Sequence, residues 1–367
     1  MLRNKPSAVL SSPLPGRIAT ALVTITTAFW VFWGSAEMYY EGWGSPFPLP
    51  LAYLIPGTAC LLFTLLALTW PRAGGWLLIV VGIGFTIWWW ILAAGRGWLN
   101  IKWALITFPF SGMLVLTGIL FLLDASNRRR FRAQGEQPDP RWWVRHLRYL
   151  VGIGIPVAIF LGVSGYYLPT LIRRVDDGNR GARLIEGNGV TLIWAPEGPG
   201  WNWKQPWGGY PSWNSLALYG VEPVGLKKQS EIGEGVFAPE EAMRETGLCV
   251  YLNEDGTQLM DTPQHIWRMP TVEEIARSMT LHNQNANCTP QKDSANPERY
   301  LTGWMDCALK PDKETPLWAP DREPIYYWAA DEHDQQKAYY LSYNGSLHAQ
   351  NKDWGNPRHG YRCVNEP

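Results

Sequence analysis

Five apolar stretches of membrane-spanning length lie between Ile18 and Leu168, and none follows Leu171. A helix needs about 20 apolar residues to cross a hydrocarbon core of about 30 Å, because lipid offers no partner to backbone N–H and C=O groups. The stretches run over residues 18–36, 51–70, 76–95, 103–123 and 147–168, punctuated by Pro71, Gly74, Gly75, Gly95 and Gly97. The expected order is a cytoplasmic tail (1–17), an all-α membrane domain of five transmembrane helices (18–172), a linker (173–189) and a soluble domain (190–367).

The formal net charge of +0 hides a division between these parts. Residues 1–176 carry 15 Lys/Arg and 6 Asp/Glu, whereas residues 177–367 carry 17 and 26. Loops rich in Lys and Arg stay cytoplasmic. Arg128, Arg129, Arg130, Arg132, Arg141, Arg145 and Arg148 lie between the fourth and fifth spans, and Arg3, Lys5 and Arg17 precede the first. Residues 37–50 have neither Lys nor Arg. Five spans with the amino terminus inside place the second half outside the cytoplasm, as expected of a multi-pass protein of the cell (inner) membrane. Trp88, Trp89 and Trp90 close the third span, where an aromatic belt belongs.

The first span is too long for a cleaved signal peptide, and Ala36-Glu37-Met38 is a poor cleavage site. No Asp, Glu, Lys, Arg or His falls at mid-depth in any span, so charged-substrate transport and proton relays lack the residues they need. The arginine-rich loop, with Phe131, Trp142 and Trp143, reads as a topogenic segment lying on an anionic leaflet, and not as a nucleic-acid interface, since no binding fold accompanies it.

Cys60 lies within the second span, while Cys249, Cys288, Cys307 and Cys363 all fall in the second half. An even count in an oxidising compartment points to two disulfides, and spacing alone leaves three pairings open. No C-x-x-C pair or histidine pair at ligand spacing supports zinc.

Along the second half, Val190–Trp194 reads as a strand closed by Pro196, Gly198, Pro199 and Gly200. Trp201, Trp203, Trp207, Tyr210 and Trp213 follow in an irregular Pro/Gly-rich loop. Residues 239–248 read as a helix, Asp255-Gly256 as a turn, and Thr271 with Glu274 as a capping box opening a helix to about Met279. A long irregular stretch covers 281–316. Ile325–Trp328 and Ala338–Tyr343 read as strands, Asn344-Gly345 is the strongest hairpin signal, and Tyr361–Val364 reads as a closing strand.

These residues carry a family likeness. Trp267-Arg268-Met269-Pro270-Thr271-Val272-Glu273-Glu274 resembles the W-R-L-P-T-x-x-E signature of the formylglycine-generating enzyme, or sulfatase-modifying factor, superfamily. Tyr327-Trp328, Ala338-Tyr339-Tyr340 before Asn344-Gly345, and Gly360-Tyr361-Arg362-Cys363-Val364 are similar to its terminal pattern, and Trp213–Ala217 is similar to its S-W-x-x-A segment. The likeness spans about 190–364 and implies an α+β C-type-lectin-like domain, a scaffold that hosts unrelated activities. In that fold the ends of the domain meet, which implies that Cys249 bonds to Cys363, leaving Cys288 with Cys307 to staple the irregular stretch.

The family's chemistry does not carry over with the motif. Its copper-dependent members place two cysteines close together near the carboxyl end, where this chain has Cys363 alone. Its iron-dependent branch uses three grouped histidines, and His146, His265, His282, His333, His348 and His359 are dispersed. Calcium-dependent lectins carry E-P-N or Q-P-D and W-N-D triplets; Glu323-Pro324-Ile325 departs from the first and W-N-D is absent. Asp331 and Asp334, in an acidic turn with Glu332 and His333, are the weak candidates for a calcium site. The sequence reading is a non-catalytic, membrane-anchored module on a C-type-lectin-like scaffold. Trp201, Trp203, Trp207 and Trp213 would stack on a glycan, peptide or partner protein. The alternatives are a metal- or oxygen-dependent modifying enzyme of the superfamily and an accessory subunit docked in a membrane complex through its helices.

Overall fold

A computed structural model describes residues 14–44, 47–95, 101–134, 142–355 and 358–367. The first 13 residues of the expected tail, and residues 135–141 of the arginine-rich loop, lie outside these. The chain divides into two compact units, Met1–Gly42 with Phe47–Pro169, and Trp43–Pro46 with Thr170–Pro367.

The first unit is helical: α1 (Leu14–Tyr40), α2 (Ile55–Thr69), α3 (Pro71–Gly95), α4 (Ile101–Ala133), α5 (Trp142–Tyr149) and α6 (Ile155–Arg173), the last two joined by a π-helical turn, Leu150–Gly154. Among the described residues, four helical stretches are long and apolar enough to cross a membrane: Leu14–Tyr40, Leu49–Thr69, Pro71–Gly95 and His146–Arg173. The expected span 103–123 lies within the 33-residue α4, where several side chains lie outside the described residues.

Small and hydroxylated residues hold these helices together. A Cβ on Gly118 of α4 would stand 2.5 Å from the carbonyl oxygen of Gly75 on α3, so only glycine admits this backbone approach. The hydroxyls of Thr27 and Thr64 meet at 2.8 Å between α1 and α2, and Tyr149 donates to the Leu68 carbonyl at 3.3 Å. Asp124, buried near the end of α4, accepts from Arg128 one turn on at 2.7 Å. Large apolar side chains such as Ile83, Ile91, Leu105 and Leu161 face outward, as lipid-facing positions do.

The second unit is built from short strands. β1 (Arg183–Gly187) and β2 (Val190–Trp194) form a hairpin whose turn residues, Asn188 and Gly189, both have positive φ. The segment expected as a linker therefore already belongs to a sheet, because Asn188-Gly189 supplies the two left-handed positions that a tight hairpin turn requires. Helices α7 (Trp213–Ala217), α8 (Gln229–Ile232), α9 (Glu240–Glu245) and α10 (Val272–Arg277) follow, with a two-stranded ribbon of β3 (Thr280–Leu281) and β4 (Gln284–Asn285). The helix expected over 239–248 stops at Glu245 and resumes as a 3₁₀ turn at Leu248–Tyr251. The capping box forms as read: Thr271 Oγ1 accepts from the Glu274 amide at 3.3 Å, and Glu274 Oε2 accepts from the Thr271 amide at 2.8 Å.

The main sheet has the order β5-β8-β7-β6-β9, with β5 at Gly303–Trp304, β6 at Tyr326–Glu332, β7 at Lys337–Ser342, β8 at Ser346–Asn351 and β9 at His359–Gly360. β7 and β8 form the hairpin expected at Asn344-Gly345, where Gly345 has φ +87°. β10 (Val364–Asn365) returns to β2, so the beginning and the end of this unit share a sheet. Cys249 bonds to Cys363 across 114 residues, and Cys288 to Cys307 across 19. The core gathers Trp213, Leu216, Leu248, Trp267, Met269, Trp328 and Tyr361 around the first of these bonds.

Candidate ligand-binding site

The tryptophan loop divides into pegs and a presented edge. Trp201 is fully buried; its indole N–H donates to the Tyr327 hydroxyl at 2.6 Å, and the Arg362 guanidinium lies 3.6 Å from its ring centroid. Trp213 is also fully buried and donates to the Ala329 carbonyl at 2.8 Å. These two residues are corrections to the sequence reading: they fill the core, as large rings do in a domain of short strands, and offer no face to a ligand. Trp203 is half-buried against the same core, and Trp207 is 40% exposed with the Lys228 ammonium 5.4 Å above its ring.

Between the pegs lies Asn202, with φ +55°, a left-handed conformation that asparagine adopts more readily than other side-chain-bearing residues. Both polar atoms of its amide are buried and hydrogen-bond to nothing among the described residues. An unpaired buried amide costs about 1–3 kcal/mol, so a native structure tolerates one chiefly where another group completes it. The Lys204–Glu323 ion pair, at 2.9 Å, ties the same loop to the start of β6. A Cβ on Gly360 of β9 would stand 2.8 Å from Pro324 Cβ, so glycine is what lets β9 pass beside Pro324.

Beyond Gly360 the sheet carries a wall of rings. The His359 imidazole lies 4.8 Å from Tyr326, 5.0 Å from Trp328 and 4.6 Å from Tyr340, and His348 stacks on Tyr340 at 5.3 Å. Register explains the grouping, since Trp328, Tyr340 and His348 are cross-strand partners on β6, β7 and β8. Burial, reinforced by His348, pushes the His359 imidazole down to about 3, and burial lowers His348 as well. Both rings are therefore neutral at ordinary pH. Trp328 and His359 are buried, while Tyr326, Tyr340 and His348 remain half-exposed. The arrangement offers flat uncharged rings.

Asp331 and Asp334 do not converge. Asp331 Oδ2 accepts from the Val272 amide at 2.6 Å, at the start of α10, and burial raises its carboxyl. Asp334 pairs with His333 Nδ1 at 2.8 Å and accepts from the amides of Gln336 and Lys337. Among the described residues no group of three His, Cys, Asp or Glu side chains could hold a metal ion. Cys307 and Cys363 each form a disulfide with a different partner, so neither sulfur is a thiolate ligand for copper. No family model, curated protein or solved structure matches the chain.

Sequence reasoning passed over Asn202, Tyr326, Tyr340, His348 and His359. The strands bearing the rings were legible, but which of their faces stays half-open depends on pairing across three strands. The asparagine gave one local signal, a polar residue between two tryptophans in a loop rich in turn formers.

Proposed function

We propose that this chain is a membrane-anchored binding module with five spans, an amino terminus in the cytoplasm, and an external domain on a C-type-lectin-like scaffold that holds a neutral glycan without catalysis. The observation that carries the reading is the neutral aromatic wall, with Tyr326, Tyr340 and His348 half-exposed on it. Sugar rings stack their C–H faces on tyrosine. The two disulfides agree with an oxidising, extracytoplasmic compartment.

Two measurements test this. A reporter fused after Pro367 is expected to be active only outside the cytoplasm, and cytoplasmic activity contradicts the topology. A glycan array probed with the full chain in lipid nanodiscs is expected to return uncharged oligosaccharides that Tyr340→Ala releases; retention by charged glycans alone contradicts the ligand class.

A further inference from the structure

A second concave region lies on the WRMPT segment, apart from the aromatic wall. The cleft has a volume of about 410 Å³ and is floored by Met243, Val250, Trp267, Met269 and Ala330. Small-molecule pockets run from about 300 to 1,000 Å³ with apolar linings and a few polar groups that fix orientation. Here the polar groups are Arg244, His265, Arg268, Thr271 and Glu274.

The Arg268 guanidinium makes a bidentate pair with Glu274, at 2.8 and 2.6 Å, which anchors it to α10 and orients its fork. The same Nη2 also donates to Glu366 Oε1 at 3.2 Å, although the Glu366 side chain is 76% exposed. A pair so open to solvent contributes little and exchanges easily. Glu366 thus marks a position beside Arg268 where a carboxylate is accepted and from which it can be displaced. Arg244, also lining the cleft and with a side chain 66% exposed, pairs with Glu240 of its own helix turn. The rim also holds strain: His265 has φ +55°, pinned because its amide and that of Gln264 both donate to the Val250 carbonyl, at 3.2 and 2.7 Å. Left-handed non-glycine residues fixed in this way cluster at ligand clamps.

We propose that this cleft binds a small organic carboxylate with an apolar body, whose carboxylate displaces Glu366 from Arg268 while its body covers Met243, Met269 and Trp267. Two sources carry that chemistry, the carboxyl end of a peptide and a free short-chain acid. The geometry requires no chemical step, only exchange of one carboxylate for another.

Isothermal titration of the full chain in nanodiscs tests it, with N-acetyl-alanyl-leucine, its carboxamide, and hexanoate as probes. One or both carboxylates are expected to bind at least tenfold more tightly than the carboxamide. Preference for the dipeptide identifies a peptide end as the source, and equal or tighter binding of hexanoate identifies a free acid. Glu366→Gln, which removes the competitor, is expected to tighten carboxylate binding about threefold or more, whereas Arg268→Gln weakens it at least tenfold. If Arg268→Gln fails to fold for want of its pair with Glu274, the Glu366→Gln variant decides alone. Equal binding of carboxylate and carboxamide, no binding of any probe, or no tightening in Glu366→Gln overturns the proposal.

Discussion

The two halves of this chain settle their buried polar groups in opposite ways. In the helical unit much of the solution is local: Thr20, Thr24 and Ser35 return their hydroxyls to carbonyls four residues back, at 2.6 to 2.7 Å, beside the interhelical bonds of Thr27 with Thr64 and of Tyr149 with Leu68. In the second unit the partners are distant in sequence. Arg362, fully buried, donates to the carbonyls of Ala195, Pro316 and Leu317, 167 to 45 residues away. Lys352 reaches the Ala238 carbonyl and Glu332, and Lys313 the Arg322 carbonyl. Burial holds the Lys313 ammonium well below its usual range and brings Arg362 down to about 9. A helix in lipid closes its hydrogen bonds within one turn, so its stability resides in many small local terms. A domain of short strands relies on a few long-range clasps, and losing one should cost much more.

That contrast can be broken in graded steps. Removing the long disulfide with Cys363→Ser should have the largest effect, since a loop near 100 residues is worth about 4.7 kcal/mol against about 3 for one near 15 residues. The Cys307→Ser variant should therefore unfold at a higher denaturant concentration than Cys363→Ser, and the reverse order would deny the clasp its role. Trp201→Ala should destabilise the external domain by about 3–5 kcal/mol, as loss of a buried tryptophan does. Trp207→Ala should stay within about 0.5 kcal/mol, as exposed substitutions do. Thermal melts of both variants check the division of the loop into pegs and edge.

A smaller effect follows from His359. Its folded value of about 3 lies below the usual 6.5, so the unfolded chain binds the proton more tightly in that window. Stability is full above pH 6.5 and falls as pH drops towards 3, by about 2 kcal/mol at pH 5 for this one group. His359→Gln should flatten the decline in melting temperature between pH 7.5 and 5; an unchanged slope would mean that the imidazole is not held neutral by the fold. An effect as small as that of Trp207→Ala is expected in the membrane half. Thr24→Val removes one intrahelical hydroxyl bond and should shift helix stability in nanodiscs by under about 1 kcal/mol.

The same contrast explains what the sequence made legible. Apolar runs, the capping box at Thr271, the Asn344-Gly345 hairpin and the strand at Val190–Trp194 are written in neighbouring residues. So is the helical character of the first half. The strand at residues 183–187 of the expected linker is hidden in a Gly/Arg/Asp-rich composition, and only its pairing with Val190–Trp194 through Asn188-Gly189 reveals it. The fates of Trp201 and Trp213 were not legible, because a Trp in a Pro/Gly-rich loop is equally suited to a core and to a surface. What decides between them is a contact such as Trp201 with Tyr327, 126 residues on. The aromatic wall was hidden for the same reason, since cross-strand register brings Trp328, Tyr340 and His348 into line.

The central claim, that the half-exposed rings of the main sheet hold an uncharged glycan, is tested most directly by Tyr340→Ala. Titration of the oligosaccharide recovered from the array, against parent and variant in nanodiscs at a temperature where both remain folded, is expected to show binding weakened at least tenfold. Undiminished binding would contradict the account.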